Sequence, residues 1–290
     1  MRIFGILLLA TAATLATAPA VPAQTAPPAG RQVECPASLS ADMRGDCLAR
    51  INAEADAALE IARRDALRAI ADWNGNIDSA GKAEWAGEFE RLLGLWVSFR
   101  DGQCAPVLVG FERNLGAGEA EHAGAACRAA MTRVIVADLT NRFGEALPDL
   151  GRTSFASGAR GPNRRELIGA EGRQPLCRHP GRGGDYQPLT ECYRRQARRV
   201  DHDLNTVWRD VLAAIRARPG LDDSRRAAWA EALRAAQRPW AELRDLACTL
   251  EAYETPNRFA HSIYSQVTGP CLVVETEART RDLKRAYGLP

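Results

Sequence analysis

"WVSFRDGQC", residues 96–104, returns as "WAELRDLAC" at residues 240–248, so a Trp, an Arg-Asp pair and a Cys recur at one spacing 144 positions apart. The same recurrence extends outward from both stretches. Eight Cys fall at 35, 47, 104 and 127, then at 177, 192, 248 and 271, with gaps of 12, 57 and 23 in the first set and 15, 56 and 23 in the second. Asp56, Leu59, Arg64, Asp65, Leu67 and Ile70 follow Cys47 at the distances at which Asp201, Leu204, Arg209, Asp210, Leu212 and Ile215 follow Cys192. Self-similarity in one register marks an internal duplication.

Within each copy the apolar period is helical. Trp85, Phe89, Leu92, Trp96, Phe99 and Gln103 step by 4 and 3, and Trp229, Leu233, Ala236, Trp240, Leu243 and Ala247 do the same, which draws a stripe along one helix. A preceding helix is predicted from about residue 47 to 72, or 192 to 218. Asn74-Gly75 and Pro219-Gly220 stop it, and Ser79 or Asp222 caps the next. A third helix is predicted to begin near Cys127 or Cys271. The predicted fold is all-α: two tandem disulfide-bonded repeats, each a helical hairpin with a third helix along its seam.

The first 23 residues put one Arg before an apolar run and end in small residues, which reads as a signal peptide cut after Ala23. Residues 24–34 then form a linker. No later stretch is apolar enough to span a bilayer. A periplasmic or secreted location follows, and in an oxidising compartment eight Cys without a C-x-x-C pair read as disulfides rather than metal ligands. Pairing within each repeat brings Cys35, Cys47, Cys104 and Cys127 together, and likewise Cys177, Cys192, Cys248 and Cys271; spacing leaves three connectivities per repeat open. Residues 35–144 and 177–290 are the repeats. Residues 145–176, rich in Gly, Pro and Arg, read as a linker or surface strap.

Arg100 and Arg244 lie four positions after Trp96 and Trp240, on the same helix face, where a guanidinium stacks on indole for about 0.5 to 1 kcal/mol. Asp101 and Asp245 sit where the helix dipole disfavours a carboxylate. The N–H groups at the starts of helices one and three can compensate. That makes the pair framework; a ligand-binding Arg-Asp edge is the other reading.

The stretches "TECYRRQARRVDHDLNTVW" (residues 190–208), "AQRPWAELRDLAC" (236–248) and "CLVVETEARTRDL" (271–283) resemble the LprI family of lysozyme inhibitors. Cys192, Leu204-Asn205, Gln237-Arg238, Trp240, Arg244-Asp245, Cys248, Cys271, Thr276 and Arg279-Thr280 carry the resemblance across residues 177–290. The first copy resembles the family less: Gln237-Arg238 becomes Leu93-Gly94, Asn205 becomes Glu60, and Arg279 becomes Ile135. The resemblance implies an exported binding protein with a lysozyme-type partner and no catalysis.

Nothing in the sequence assembles a nucleophile, a P-loop, a dinucleotide fingerprint or an H-E-x-x-H zinc motif. No cofactor is called for. The four His do not recur between the copies. Net charge is −4 over residues 31–144 and +4 over 177–290. Without a sustained basic stripe, nucleic acid is not a partner. Opposite charges let the copies dock on each other, or let the first steer toward a cationic protein.

The leading functional reading is an inhibitor of a peptidoglycan-cleaving enzyme; the runner-up is an envelope assembly or scaffold module. The expected contact surface is the loop between Cys248 and Cys271, where His261, Ser262, Tyr264 and Ser265 supply hydrogen bonds and aromatic area. Its aromatics, Tyr253 included, can instead fold back over the bundle end. The matching first-copy loop, with Phe111 as its one aromatic, is expected to be structural.

Overall fold

Five of the six long helices start either at a side chain that accepts a first-turn N–H or at a Pro that has no N–H to satisfy. A computed structural model describes residues 35–36, 38–75, 77–143, 177, 185–253 and 267–290. Ser40 caps α1 (Ala41–Ala71) by accepting the Met43 N–H. Asp78, one residue before the expected Ser79, caps α2 (Ser79–Gln103) by accepting the Gly81 N–H at 2.8 Å. Pro106 opens the short α3 (Pro106–Arg113), which ends on Asn114 in the left-handed region at φ 55°. α4 (Ala117–Phe143) begins ten residues before Cys127. In the second repeat, α5 (Gln187–Arg216) carries Pro188 in its first turn, Asp222 caps α6 (Asp223–Leu250), and α7 (Gly269–Tyr287) ends on Gly288 at φ 64°. No strand occurs among the described residues.

Four disulfides brace this all-α chain in two halves. They are Cys35–Cys47, Cys104–Cys127, Cys177–Cys192 and Cys248–Cys271, each within its own repeat. One bond per repeat ties the lead-in to the first helix. The other ties the end of the second long helix to the third.

The third long helix runs parallel to the first. Asn52 of α1 donates to the Ala125 carbonyl of α4 at 3.0 Å, and further along Asp56 and Thr132 meet at one Arg. α1 packs chiefly on α4, and α5 chiefly on α7. The second long helices pack less against their own hairpin mates than against each other: α2 and α6 form an antiparallel pair that joins the repeats. A Cβ placed on Gly102 of α2 would lie 2.9 Å from the Cα of Ala236, so the absence of a side chain sets how closely α2 and α6 approach.

Two helices buried against each other on one face and their own repeats on another need two apolar ridges. On α2, Trp85, Phe89, Leu93, Trp96 and Arg100 are buried, whereas Leu92 and Phe99 are only partly covered. Phe99 packs into the second repeat's cluster, which explains why a single stripe described the helix incompletely.

The cores interlock. Leu246, Leu250 and Tyr253 from the end of α6 join the cluster around Trp85, Phe89 and Ile70 of the first repeat. Leu108 of α3 joins the cluster around Trp229, Leu233 and Ile215 of the second, with Phe111 packed against it. The first-copy loop is structural, as its composition implied. Replacing Gly102 with Leu is expected to cost about 1 to 3 kcal/mol through overpacking. A denaturant midpoint unchanged from wild type would show that α2 and α6 separate freely.

Candidate functional site

The Arg-Asp pairs of the opening motifs form two matching clamps. In the first repeat, Arg100 Nε donates to Asp101 Oδ1 at 2.9 Å, and Nη1 donates to Asp56 Oδ1 and Thr132 Oγ1, each at 2.9 Å. In the second, Arg244 Nε donates to Asp245 Oδ1 at 2.8 Å, and Nη1 to Asp201 Oδ1 at 2.7 Å and Thr276 Oγ1 at 2.9 Å. Both guanidinium carbons stand 5.4 Å from the ring of their Trp, Trp96 or Trp240.

One side chain thereby ties all three long helices of a repeat. Burial works against the charge of Arg244, but the bonds from Asp201 and Asp245 outweigh it and raise its pKa. The charge that compensates Asp101 and Asp245 is the adjacent guanidinium, in place of the helix N-termini expected from position alone. Thr132 and Asp56 repeat the register of Thr276 and Asp201, a signal the alignment of the copies contained.

Where the copies depart from each other, the departures are coupled. Arg279 is buried, stands 5.7 Å over Trp240 and 5.5 Å over Phe99 of the first repeat, and donates through Nε to Gln237 Oε1 at 2.9 Å. Its Nη1 donates across the repeat boundary to Gln103 Oε1 at 3.1 Å. The corresponding first-copy residues, Leu93 and Ile135, belong to one apolar cluster. A polar pair in one repeat is thus an apolar pair in the other.

Beside Arg279, Tyr287 donates its hydroxyl to Glu112 of α3 at 3.0 Å and accepts the Trp229 indole N–H at 3.2 Å. Desolvation draws the Arg279 pKa down to about 10 and lifts those of Glu112 and Tyr287. Gln103, Glu112 and Tyr287 carried no motif signal. This buried contact gives the docking of an acidic copy on a basic one a specific geometry.

On the outside of the second repeat lies a cleft of about 340 Å³ between α5, the end of α6 and the start of α7, lined by Arg194, Arg198, Asp201, Arg244 and Asp245 over Ala197, Leu272, Thr249 and Thr268. It adjoins the chain ends that lead into residues 254–266. His261, Ser262, Tyr264 and Ser265 lie outside the described residues. Tyr253, from the same loop, is buried and stacks on Trp85 of the first repeat at 5.8 Å, so this aromatic covers the bundle. Arg194 and Arg198, exposed on α5, carried no motif signal of their own.

No group of three or more His, Cys, Asp or Glu among the described residues could hold a metal ion. None of the described helices is long and apolar enough to cross a membrane.

Covalent bracing and arginine clamps define a disulfide-stabilised helical domain in which the motif residues Arg100 and Arg244 bond to side chains of their own repeat. A model of the family described as lysozyme inhibitor LprI matches residues 177–283. An uncharacterized protein of Rhizobium meliloti (strain 1021) is 32% identical over 118 residues, which are 40% of this chain and 81% of that one. The chain belongs to the LprI family. The family match lies within the second repeat; the first repeat shares its Cys register, its disulfide pattern and its Arg clamp. No solved structure matches.

Proposed function

We propose that the protein is exported and acts in the cell envelope by binding, as a proteinaceous inhibitor of a lysozyme or another peptidoglycan-cleaving enzyme. The observation that carries this reading is how the motif residues of the family-matching repeat are used. Arg244 is occupied by Asp201, Asp245 and Thr276, and Arg279 by Gln237 and Gln103. What remains for function is surface, held on a rigid support. The Cys248–Cys271 bond and the buried Tyr253 fix the base of the 249–270 loop, and an inhibitor needs such a braced loop to reach a cleft whose chemistry uses two carboxyl groups. His261, Ser262, Tyr264 and Ser265 are the proposed contact residues.

The test uses protein beginning at residue 24 with its disulfides intact, titrated against a panel of lysozymes. Stoichiometric inhibition is expected. Replacing His261 and Tyr264 together with Ala should abolish it, and a melting temperature within a few degrees of wild type would separate lost contact from lost packing. Intact inhibition in that variant would remove the loop from the contact surface. Absence of inhibition by the wild type across the panel would remove the inhibitor reading. Retrieval of a non-catalytic envelope protein would then favour a scaffold role.

A further inference from the structure

We infer that the cleft of the second repeat is a carboxylate-binding site, shaped for a single acidic group of a peptide or protein. This does not depend on the partner being a lysozyme. Three observations converge on it.

The first is the opening of the cleft. At the position of Ala197 the first repeat has Asn52, whose side chain donates to the Leu48 carbonyl at 2.8 Å and to the Ala125 carbonyl at 3.0 Å, tying α1 to α4. Ala197 makes no such tie, and the space between α5 and α7 forms part of the cleft.

The second is where the cations stand. Arg194 and Arg198, one turn apart on α5, replace Ala49 and Ala53 of the first repeat. Both are exposed. Arg194 pairs with Glu191 at the surface at 2.7 Å, whereas Arg198 makes no hydrogen bond or ion pair with another described residue. Arg244, by contrast, is occupied by its own clamp. Arg198 thus adds positive charge to the rim of a cleft whose other charges, Arg194 included, already have partners.

The third is the lining, which selects among anions. Ala197 and Leu272 provide an apolar floor for a methylene stem. Asp201 and Asp245 remain about half exposed while bonded to Arg244. Their field disfavours a doubly charged phosphate more than a monoanion. A planar carboxylate can take two parallel bonds from a guanidinium fork, as a phosphate also can, so the selection rests on charge and on the apolar floor.

Backbone amide and arginine side-chain NMR signals of the whole protein report on the site directly. Three probes are titrated: an N-acetylated, C-amidated peptide with one Glu; an N-acetylated peptide whose free C-terminus is its one carboxylate; and inorganic phosphate. Saturable shifts at Ala197, Arg198, Thr249 and Leu272 are expected with one peptide or both, and the peptide that saturates identifies the source of the carboxylate. Changing Arg194→Gln with Arg198→Gln should weaken binding about tenfold or more, the loss of charge-assisted bonds. Changing Arg195→Gln with Arg199→Gln removes equal charge from the same helix without touching the cleft, and should leave affinity within about twofold at moderate salt. All four side chains are exposed, and an unchanged melting temperature verifies folding. Shifts that fail to saturate, equal weakening by both double variants, or phosphate binding tighter than both peptides would each overturn the assignment.

Discussion

Replacing Trp229 with Ala is expected to lower the unfolding free energy by about 3 to 5 kcal/mol, a third or more of what a domain usually has. The indole is 4% exposed and stacks on Phe111 of the first repeat at 5.3 Å and on Tyr287 at 5.8 Å. Removing it opens a cavity bounded by both repeats. It also deletes the N–H that Tyr287 accepts while donating to Glu112. A Trp229→Phe variant keeps most of the ring contact and loses the hydrogen bond, so its cost should be nearer 1 kcal/mol beyond the packing adjustment. Guanidinium unfolding followed by circular dichroism measures both. A loss below about 1 kcal/mol for the Ala variant would mean that α3 does not depend on the second core, contrary to the packing of Leu108 and Phe111.

The second large effect belongs to Arg279. Changing it alone to Ile, the residue at the matching first-copy position, should cost about 3 kcal/mol or more, because breaking a buried charged contact leaves partners stranded. Gln237 and Gln103 would each lose a donor, and Glu112 a nearby cation. Changing Gln237 to Leu in the same chain imports the other half of the first repeat's apolar pair. The double variant should recover at least about 1 kcal/mol relative to Arg279→Ile, since a buried polar pair replaced by well-packed apolar residues is often neutral or stabilising. Additive losses from Gln237→Leu and Arg279→Ile would show that the two positions are not energetically coupled.

The two-repeat helical plan and the division of the Cys were legible because they depend on periods: 3.6 residues within a helix and a near-constant offset between copies. The Arg–Trp stacks were legible for the same reason, since a spacing of four puts two side chains on one helix face. Periodicity names a face and not its partner. It could not show that α2 turns one ridge toward α6, nor that Tyr253 would reach Trp85 of the other repeat. Nor could it choose among the disulfide connectivities, since all four Cys of a repeat were expected at one end of the bundle. Gln103 and Glu112 act through contacts 176 and 175 positions away in sequence, respectively, beyond any local pattern. Arg198 resembles any solvated helix residue until the small side chain of Ala197 beside it is seen to leave room.

The antiparallel crossing of α2 and α6 has the form of an isologous contact, in which each half offers the same patch to the other. Between two separate identical chains every substitution would appear twice, once on each side of the axis, and would have to suit both places. Joined in one polypeptide, the halves are released from that constraint. An Arg can appear on α5 without a twin on α1, an apolar pair can stand opposite a polar one, and one half can become acidic while the other becomes basic. Fusion turns a symmetric brace into an asymmetric one, leaving one half free to specialise in recognition while the other holds it in shape.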